Sequence, residues 1–226
     1  MTTAITRRLF GASLAALSAA ALPALAQTAS NTPKTSGGKP LYKDPTQPVE
    51  ARVQDLLSRM TLEEKAAQLI GIWLTKNKIQ TPEGEFSPEQ ASKNFPNGLG
   101  QISRPSDRKG AKPVSVIGAA AGADDGAVNR NAKETARYTN AAQKWAVEKT
   151  RLGIPLLMHD EALHGYVARD ATSFPQSIAL ASTFDPELTE KIFAVAAREM
   201  RARGSNLALA PVVDVARDPR WGRIEE

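Results

Sequence analysis

The feature that most restricts how this chain can fold is a strand–helix–strand alternation in its last third. A short apolar run at residues 154–158 follows Gly-Ile-Pro and has the length and flanks of a buried strand. A helix then runs from an N-cap at Asp185 to Gly204, and a second apolar run covers residues 206–216. Strands joined by helical connections form βα units, so we expect an α/β fold built on a parallel sheet.

Three more helices are predicted upstream of this alternation. The first covers residues 49–60, with its apolar residues on one face, and the second begins at Thr61, which forms a capping box with Glu64. The third covers residues 131–149. Its apolar positions are Tyr138, Ala141, Ala142 and Trp145. This spacing places Trp145 in the core.

The segments between these helices carry weaker patterns. Residues 75–97 are polar and interrupted by Pro and Gly, which predicts a loop, and residues 98–102 fit a short strand. Residues 104–128 are long and irregular, as functional or mobile loops often are. Their glycines have neither of the spacings typical of phosphate-binding loops.

The N-terminus predicts export. Arg7 and Arg8 precede an apolar stretch, and Ala-Leu-Ala at residues 24–26 forms a cleavage pattern, so residues 1–26 are interpreted as a signal peptide. The paired arginines resemble a twin-arginine signal, and an ordinary signal with two chance arginines is the alternative. Residues 27–47 are rich in Thr, Ser, Gly, Pro and Lys, which indicates a flexible arm before a body that begins near Pro48.

Composition excludes several classes of function. The net charge of +5 falls to +3 without Arg7 and Arg8, and no basic block occurs, so no nucleic-acid partner is expected. There are no cysteines and only two histidines, and the HEXXH spacing is absent, so we expect neither a metal nor a cofactor. After signal cleavage no apolar run is long enough to predict membrane association, so a periplasmic or secreted protein is expected.

Candidate functional residues follow the two predicted strands of the last third. In a parallel βα array, ligands bind beyond the carboxyl ends of the strands. One cluster there is polar and acidic, and the other mixes charge with an aromatic ring. The first cluster is His159, Asp160, Glu161 and His164, and the second is Asp214, Arg217, Asp218, Arg220, Trp221 and Arg223.

Several roles fit the first cluster. A carboxylate there could act as a general acid or base, or could accept hydrogen bonds from two hydroxyls of a sugar. His159 and Asp160 could instead only cap the following turn, and this reading applies less to Glu161.

The second cluster also has two interpretations. Arg220 or Arg223 could bind carboxylates or sugar hydroxyls, with Trp221 as a stacking surface. Alternatively, Asp218 and Arg220 form a structural ion pair across the turn at Pro219. We expect both, with Arg223 facing the ligand and Asp218 and Arg220 holding the loop.

These residues also carry a family resemblance. The strings "RMTLEEKAAQL", "DEALHG", "FPQ" and "APVVDVARDPRWGR" occur in this order. Over about residues 49–226 the chain resembles the N-terminal domain of glycoside hydrolase family 3, which includes β-glucosidases and β-xylosidases. The resemblance implies the N-terminal part of a (β/α)8 (TIM-like) barrel, apparently truncated, within residues 48–226.

The resemblance also implies roles for individual residues. Glu161 corresponds to the carboxylate that binds the sugar at subsite −1, and Arg223 belongs to the same pocket. Supporting positions are His164, Asp218, Arg220 and Trp221. Relatives act with retention through a covalent glycosyl-enzyme. Their nucleophile and their acid/base residue correspond to no position of this sequence, so no catalytic residue is assigned and the chain alone is expected to be inactive.

The expected function is therefore that of an exported β-glycosidase. It would hydrolyse terminal non-reducing β-D-glucosyl or β-D-xylosyl residues of a β-linked oligosaccharide or aryl glycoside. A non-catalytic sugar-binding or pseudoenzyme barrel protein is the alternative. A periplasmic sugar-binding protein would need two similar lobes, and an N-acetylglucosaminidase resembles "DEEGG" where this chain has "DEALHG".

Overall fold

The computed structural model describes residues 35–36, 38–108, 129–222 and 224. The predicted signal peptide, residues 109–128 and Arg223 therefore lie outside the described residues.

A four-stranded parallel sheet organises the described chain. An antiparallel strand pair, β1 with β2, precedes this sheet, and β3 to β6 then lie side by side in chain order. Consecutive parallel strands joined by helical segments are the βα units that the sequence predicts, so the predicted α/β class is confirmed. The strands are β1 Thr35–Ser36, β2 Lys39–Pro40, β3 Gly71–Ile72, β4 Gln101–Ser103, β5 Leu157–Glu161 and β6 Leu207–Leu209.

The described residues include six α-helices, and the first turns of several explain where they begin. The predicted capping box of Thr61 and Glu64 is confirmed, and Asn131 forms a second one with Glu134. Asp185 caps the last helix by accepting a hydrogen bond from the Leu188 amide. The helices are α1 Val49–Arg59, α2 Leu62–Ala67, α3 Pro88–Asn94, α4 Ala132–Lys149, α5 Ser177–Ala181 and α6 Pro186–Ala202.

The hydrophobic core lies between one face of the sheet and helices α3 and α4. Ile72, Ile102 and Met158 are aligned across three neighbouring strands and are all buried. Tyr138 and Trp145 of α4 pack into the same cluster, as the helical spacing predicts. The opposite face of the sheet is open, since Leu157 is 51% exposed and Leu209 is 52% exposed.

The prediction of a buried strand over residues 206–216 is wrong. Strand β6 covers only Leu207–Leu209, and Val213 and Val215 beyond it are exposed. The physical reason is that, within the described residues, β6 pairs with β5 alone and nothing covers its open face. An apolar run in the sequence therefore does not show whether another part of the chain packs over the strand.

Strand β5 begins three residues later than predicted. Pro155 has no amide hydrogen to donate to a ladder, and pairing starts at Leu157. As a result His159, Asp160 and Glu161 lie within the strand, at its carboxyl end, rather than after it.

Two predicted loops contain structure. Helix α3 lies within the predicted loop at residues 75–97, where Ser87 and Pro88 are start signals. Residues 41–47, assigned to the flexible arm, lie against the body. The Tyr42 amide donates to Asp55, and the Tyr42 hydroxyl donates to the Leu152 carbonyl at 2.6 Å.

Candidate functional site

The alternation of side chains along β5 separates two adjacent carboxylates. Successive residues of a strand point to opposite faces. Asp160 lies on the covered side with Met158 and is fully buried, whereas Glu161 lies on the open side and is half-buried. The sequence cluster therefore divides into two environments.

Asp160 is the centre of a buried hydrogen-bond network. Ser106, Tyr166 and Ser205 donate to its carboxylate through their hydroxyls at 2.6, 2.8 and 2.5 Å. Burial raises the pKa of the Asp160 carboxyl above its ordinary value, and the three hydroxyls act in the opposite direction. Because these donors come from the segments after β4, after β5 and before β6, Asp160 joins three separate segments of the chain.

Glu161 has a different set of contacts. Its backbone carbonyl accepts a hydrogen bond from the Val167 amide at 2.9 Å. Within the part of the chain that the structure describes, no hydrogen bond or ion pair involves its carboxylate. A half-buried carboxylate at a strand end is therefore available to accept hydrogen bonds from a ligand.

His159 shares the open face with Glu161. Its Nδ1 forms a short hydrogen bond with the side-chain amide of Gln101, and its carbonyl accepts from the Arg104 amide at 2.6 Å. Burial lowers the pKa of His159, which favours the neutral ring. These contacts tie His159 of β5 to β4 and to the residue that follows β4.

The loop that follows β5, residues 162–176, is held by side chains from other elements. Arg203, at the end of α6, donates to the carbonyls of Arg169 at 2.5 Å and Asp170 at 2.7 Å. Glu199 accepts from the amide and hydroxyl of Thr172. We call residues 162–176 the β5 loop. These contacts tie the β5 loop to α6 and to the residue that follows it.

Two residues of the "HG" pair shape the β5 loop from within. Gly165 has φ of +102°, and a Cβ there would collide with the Thr172 carbonyl oxygen, so only glycine fits. His164 lines a cavity of about 310 Å³, and its Nδ1 is buried without a hydrogen-bond partner among the described residues.

A buried ionic cluster near Asp160 was not predicted from the sequence. The Lys76 ammonium lies 2.5 Å from Asp107 and is fully buried, and burial lowers its pKa to about 8. Arg130 is also buried, donates to four oxygens and stacks 3.8 Å from the Tyr138 ring. These residues fall in or beside predicted loops, where no periodicity marks a buried charge.

The segment after β6, residues 211–222, is called the β6 segment here. Asp218 caps the 3-10 turn Pro219–Trp221 and binds the Arg220 guanidinium at 2.5–3.1 Å. This geometry agrees with the expected structural ion pair. Trp221 is 44% exposed, and Arg223 lies outside the described residues.

The structure brings the two clusters to one edge of the sheet without joining them. Strands β5 and β6 are parallel neighbours, and Glu161 pairs with Leu209, so both following segments leave at the same edge. Glu161 is the last residue of β5, and His164 follows three residues later in the β5 loop. The hydrogen bonds and ion pairs of residues 211–222 stay inside that segment, as far as the structure describes the chain.

Comparison with known proteins identifies the family. Residues 61–226 match the model of the glycosyl hydrolase family 3 N terminal domain. The chain is 35% identical over 193 residues to probable beta-glucosidase C of Aspergillus oryzae, covering 82% of this chain and 27% of the relative. It is 28% identical to periplasmic beta-glucosidase/beta-xylosidase of Dickeya chrysanthemi, covering 81% and 26%.

A solved structure agrees with this match. A b-glucosidase from Erythrobacter marinus superposes with a TM-score of 0.63 at 30% identity, covering 81% of this chain and 21% of that one. The chain thus spans about a quarter of the length of these relatives. Since the family model covers well over half of its residues, the chain belongs to glycosyl hydrolase family 3 and matches the N-terminal domain of that family.

Proposed function

We propose that these residues supply part of the −1 sugar site of an exported, retaining β-glycosidase. Its substrates would be β-linked oligosaccharides or aryl glycosides with a terminal non-reducing β-D-glucosyl or β-D-xylosyl residue. Support comes from relatives whose names include beta-glucosidase and beta-xylosidase. No nucleic-acid partner is proposed.

The observation that carries this proposal is the contrast between Glu161 and Asp160. Asp160 is saturated by three hydroxyls, whereas the Glu161 carboxylate faces the open side of the sheet. A carboxylate that accepts two sugar hydroxyls gains charge-assisted hydrogen bonds of roughly 1.5–3 kcal/mol each. Glu161 is therefore the proposed sugar-binding carboxylate, with Arg223 as a donor to the same ring and His164 as a supporting residue.

Retention requires two carboxyl groups about 5–5.5 Å apart, one as nucleophile and one as acid/base. The buried carboxylates near the site are unsuited to either role, because Asp160 holds three loops together and Asp107 pairs with Lys76. We propose that both catalytic carboxylates correspond to no position of this sequence. Asp218, Arg220 and Trp221 then hold the loop that carries Arg223.

Export is proposed from residues 1–26 and from relatives whose names include the word periplasmic. Among the residues that the structure describes, no helix has both the length and the apolar character needed to cross a bilayer. We propose a periplasmic or secreted location after cleavage of the signal.

Ligand-observed NMR on the purified chain tests the sugar site. Methyl β-D-glucoside and methyl β-D-xyloside should give saturation-transfer signals that Glu161→Gln reduces at least tenfold. The matched control is Glu190→Gln, an exposed carboxylate of α6, which should leave the signals unchanged. Equal signals from Glu161→Gln and wild type would refute the assignment of Glu161.

Turnover is tested separately with aryl β-glucoside and aryl β-xyloside. The chain alone should release no aryl alcohol above the background of a heat-denatured sample. Release that persists through purification would contradict the proposed absence of the nucleophile.

A further inference from the structure

An apolar cavity lies at the amino end of β5, at the opposite end of that strand from Glu161. It has a volume of about 490 Å³. Its walls come from the 3-10 turn Leu41–Lys43, from α1, from α4 and from residues 153–155, which precede β5. Cavities with a mostly apolar lining suit the apolar part of a ligand. The aliphatic lining residues are Val49, Val53, Leu56, Val147, Ile154 and Pro155.

Three valines of this cavity are exposed to solvent although they come from two different helices. Val49 and Val53 of α1 are 71% and 41% exposed, and Val147 of α4 is 45% exposed. The free energy gained from apolar surface is proportional to the area removed from water, so their exposed surface contributes little to the fold. An occupant of the cavity would gain that free energy by covering them.

Hydrogen bonds and a glycine hold the walls of the cavity in place. The Tyr42 hydroxyl donates to the Leu152 carbonyl at 2.6 Å, and Arg52 Nε donates to the Tyr42 carbonyl at 3.1 Å. Gly153 has φ of +64°, and a Cβ there would lie 2.7 Å from the Val147 carbonyl oxygen, so a larger residue does not fit. The cavity is therefore formed before any ligand binds, which lowers the free-energy cost of binding.

Two cations line this cavity without an acidic partner. Lys43 and Arg52 form no ion pair with any residue that the structure describes, and the described lining contains no acidic residue. The Lys43 ammonium lies 5.6 Å from the centre of the Tyr42 ring and 3.1 Å from the position that a Cβ of Gly153 would occupy. Both charges therefore lie at the wall of an apolar cavity.

The acidic side chains of the neighbouring segments do not neutralise these two cations. Three carboxylates of the turn and of α1 accept hydrogen bonds from other side chains: Thr46 donates to Asp44, Gln54 to Glu50 and Arg59 to Asp55. Neither these three nor Glu148, which follows Val147, pairs with Lys43 or Arg52. The two cations are therefore able to bind an anion from outside the chain.

We propose that this cavity binds a carboxylic acid with an unbranched aliphatic chain, of the size of a medium-chain fatty acid. The chain covers the valines, and Lys43 and Arg52 donate to the carboxylate. The volume falls within the range of ligand pockets, about 300–1,000 Å³.

An aliphatic chain fits this lining better than an aromatic ring does. Tyr42 is the one aromatic residue of the described lining, and its ring already faces the cations of Lys43 and Arg59. The other apolar side chains of the cavity are aliphatic. The site lies apart from the proposed sugar site and does not depend on the proposed glycosidase function.

Isothermal titration of the purified chain with hexanoate, heptanoate and octanoate tests the apolar part of the site. Affinity should rise by roughly twofold to fourfold for each added CH₂, since full burial of one CH₂ corresponds to about fourfold. 1-Octanol, which has the chain without the charge, should bind at least tenfold more weakly than octanoate.

Substitutions test the two cations and the valines separately. Lys43→Gln and Arg52→Gln should each weaken octanoate binding at least fivefold and leave 1-octanol binding within twofold. Val53→Thr should weaken both ligands at least threefold. Lys93→Gln, at an exposed lysine of α3, is the charge-matched control and should change neither affinity.

Circular dichroism checks the fold of each variant. If Arg52→Gln unfolds, Lys43→Gln decides the role of charge, because the Lys43 side chain makes no hydrogen bond with the described residues.

Each other outcome overturns the proposal. Absence of octanoate binding excludes the site, and an affinity that does not change with chain length excludes an apolar contact. 1-Octanol binding as tight as octanoate binding excludes the role of Lys43 and Arg52. Sedimentation that shows a dimer, dissociated by Val53→Asp, would mean that a second copy of the chain covers this surface instead of a fatty acid.

Discussion

The β5 loop and the β6 segment leave neighbouring strands at the same edge of the sheet, yet they are held in opposite ways. The β5 loop is tied to the rest of the chain through Tyr166, Thr172 and Arg203, and through Asp160 beneath it. Within the described residues the β6 segment bonds only to itself. A ligand-binding side chain on the first is preorganised, while one on the second depends on whatever packs against it.

The largest expected effect on stability is at Asp160, which accepts three buried hydrogen bonds. Asp160→Ala removes the acceptor of three buried hydroxyls and should lower the free energy of unfolding by about 4 kcal/mol. Urea denaturation followed by circular dichroism measures this. Asp214→Ala, an exposed carboxylate in the β6 segment, is the control and should leave the transition unchanged. Equal effects of the two substitutions would remove the contrast between the regions.

The next effect on stability depends on pH and concerns Lys76 in the buried ionic cluster. Burial lowers the pKa of Lys76 to about 8, so between about pH 8 and 10 the unfolded chain holds a proton that the folded chain releases. Stability from this group therefore rises with pH, by about 1.4 kcal/mol per unit.

Comparison with Lys76→Met isolates that contribution. The difference in unfolding free energy, wild type minus variant, should increase from pH 8 to pH 10 and stay flat from pH 6 to pH 7. A difference that falls as pH rises would show that Lys76 is not buried as described.

A smaller effect is expected when one hydroxyl of the Asp160 network is removed and the aromatic ring that carries it is kept. Tyr166→Phe removes one hydroxyl from Asp160 while keeping the ring that faces Arg203, and should cost about 1 kcal/mol. Tyr138→Phe is the matched control, because the Tyr138 hydroxyl is buried without a partner among the described residues. The control should be neutral or stabilising, and an equal loss in both variants would contradict the network.

The smallest effect belongs to the β6 segment. Asp218→Ala breaks an exposed ion pair with Arg220, and such pairs add little to stability. The urea midpoint should not change at low or high salt. A clear destabilisation would show that this segment is anchored by more than its internal contacts.

The sequence predicts the βα units well because helix caps and apolar spacing are local signals. The predicted N-caps at Thr61 and Asp185 are single side chains that bond to nearby amides, and α2 and α6 begin where these residues indicate. Strand burial is less predictable, because exposure of Leu209 or Val213 depends on what covers the sheet from elsewhere in the chain.

The candidate site is only partly predictable, because some of its contacts join residues that are far apart in the sequence. Placement of Glu161 at a strand end follows from the order of elements, but its separation from Asp160 depends on where β5 begins. The buried pair of Lys76 and Asp107 joins residues 31 positions apart. Contacts of that kind leave no periodic trace in a sequence.

The alternation along β5 has a consequence for anyone redesigning this protein. Position 161 can be varied broadly in a library, since its carboxylate forms no hydrogen bond or ion pair with the described residues. Changes there should alter ligand preference while the fold persists. Position 160 should be left out of such a library, since almost every change there is expected to cost expression. A one-residue insertion before Asp160 would exchange the two environments and abolish both roles at once.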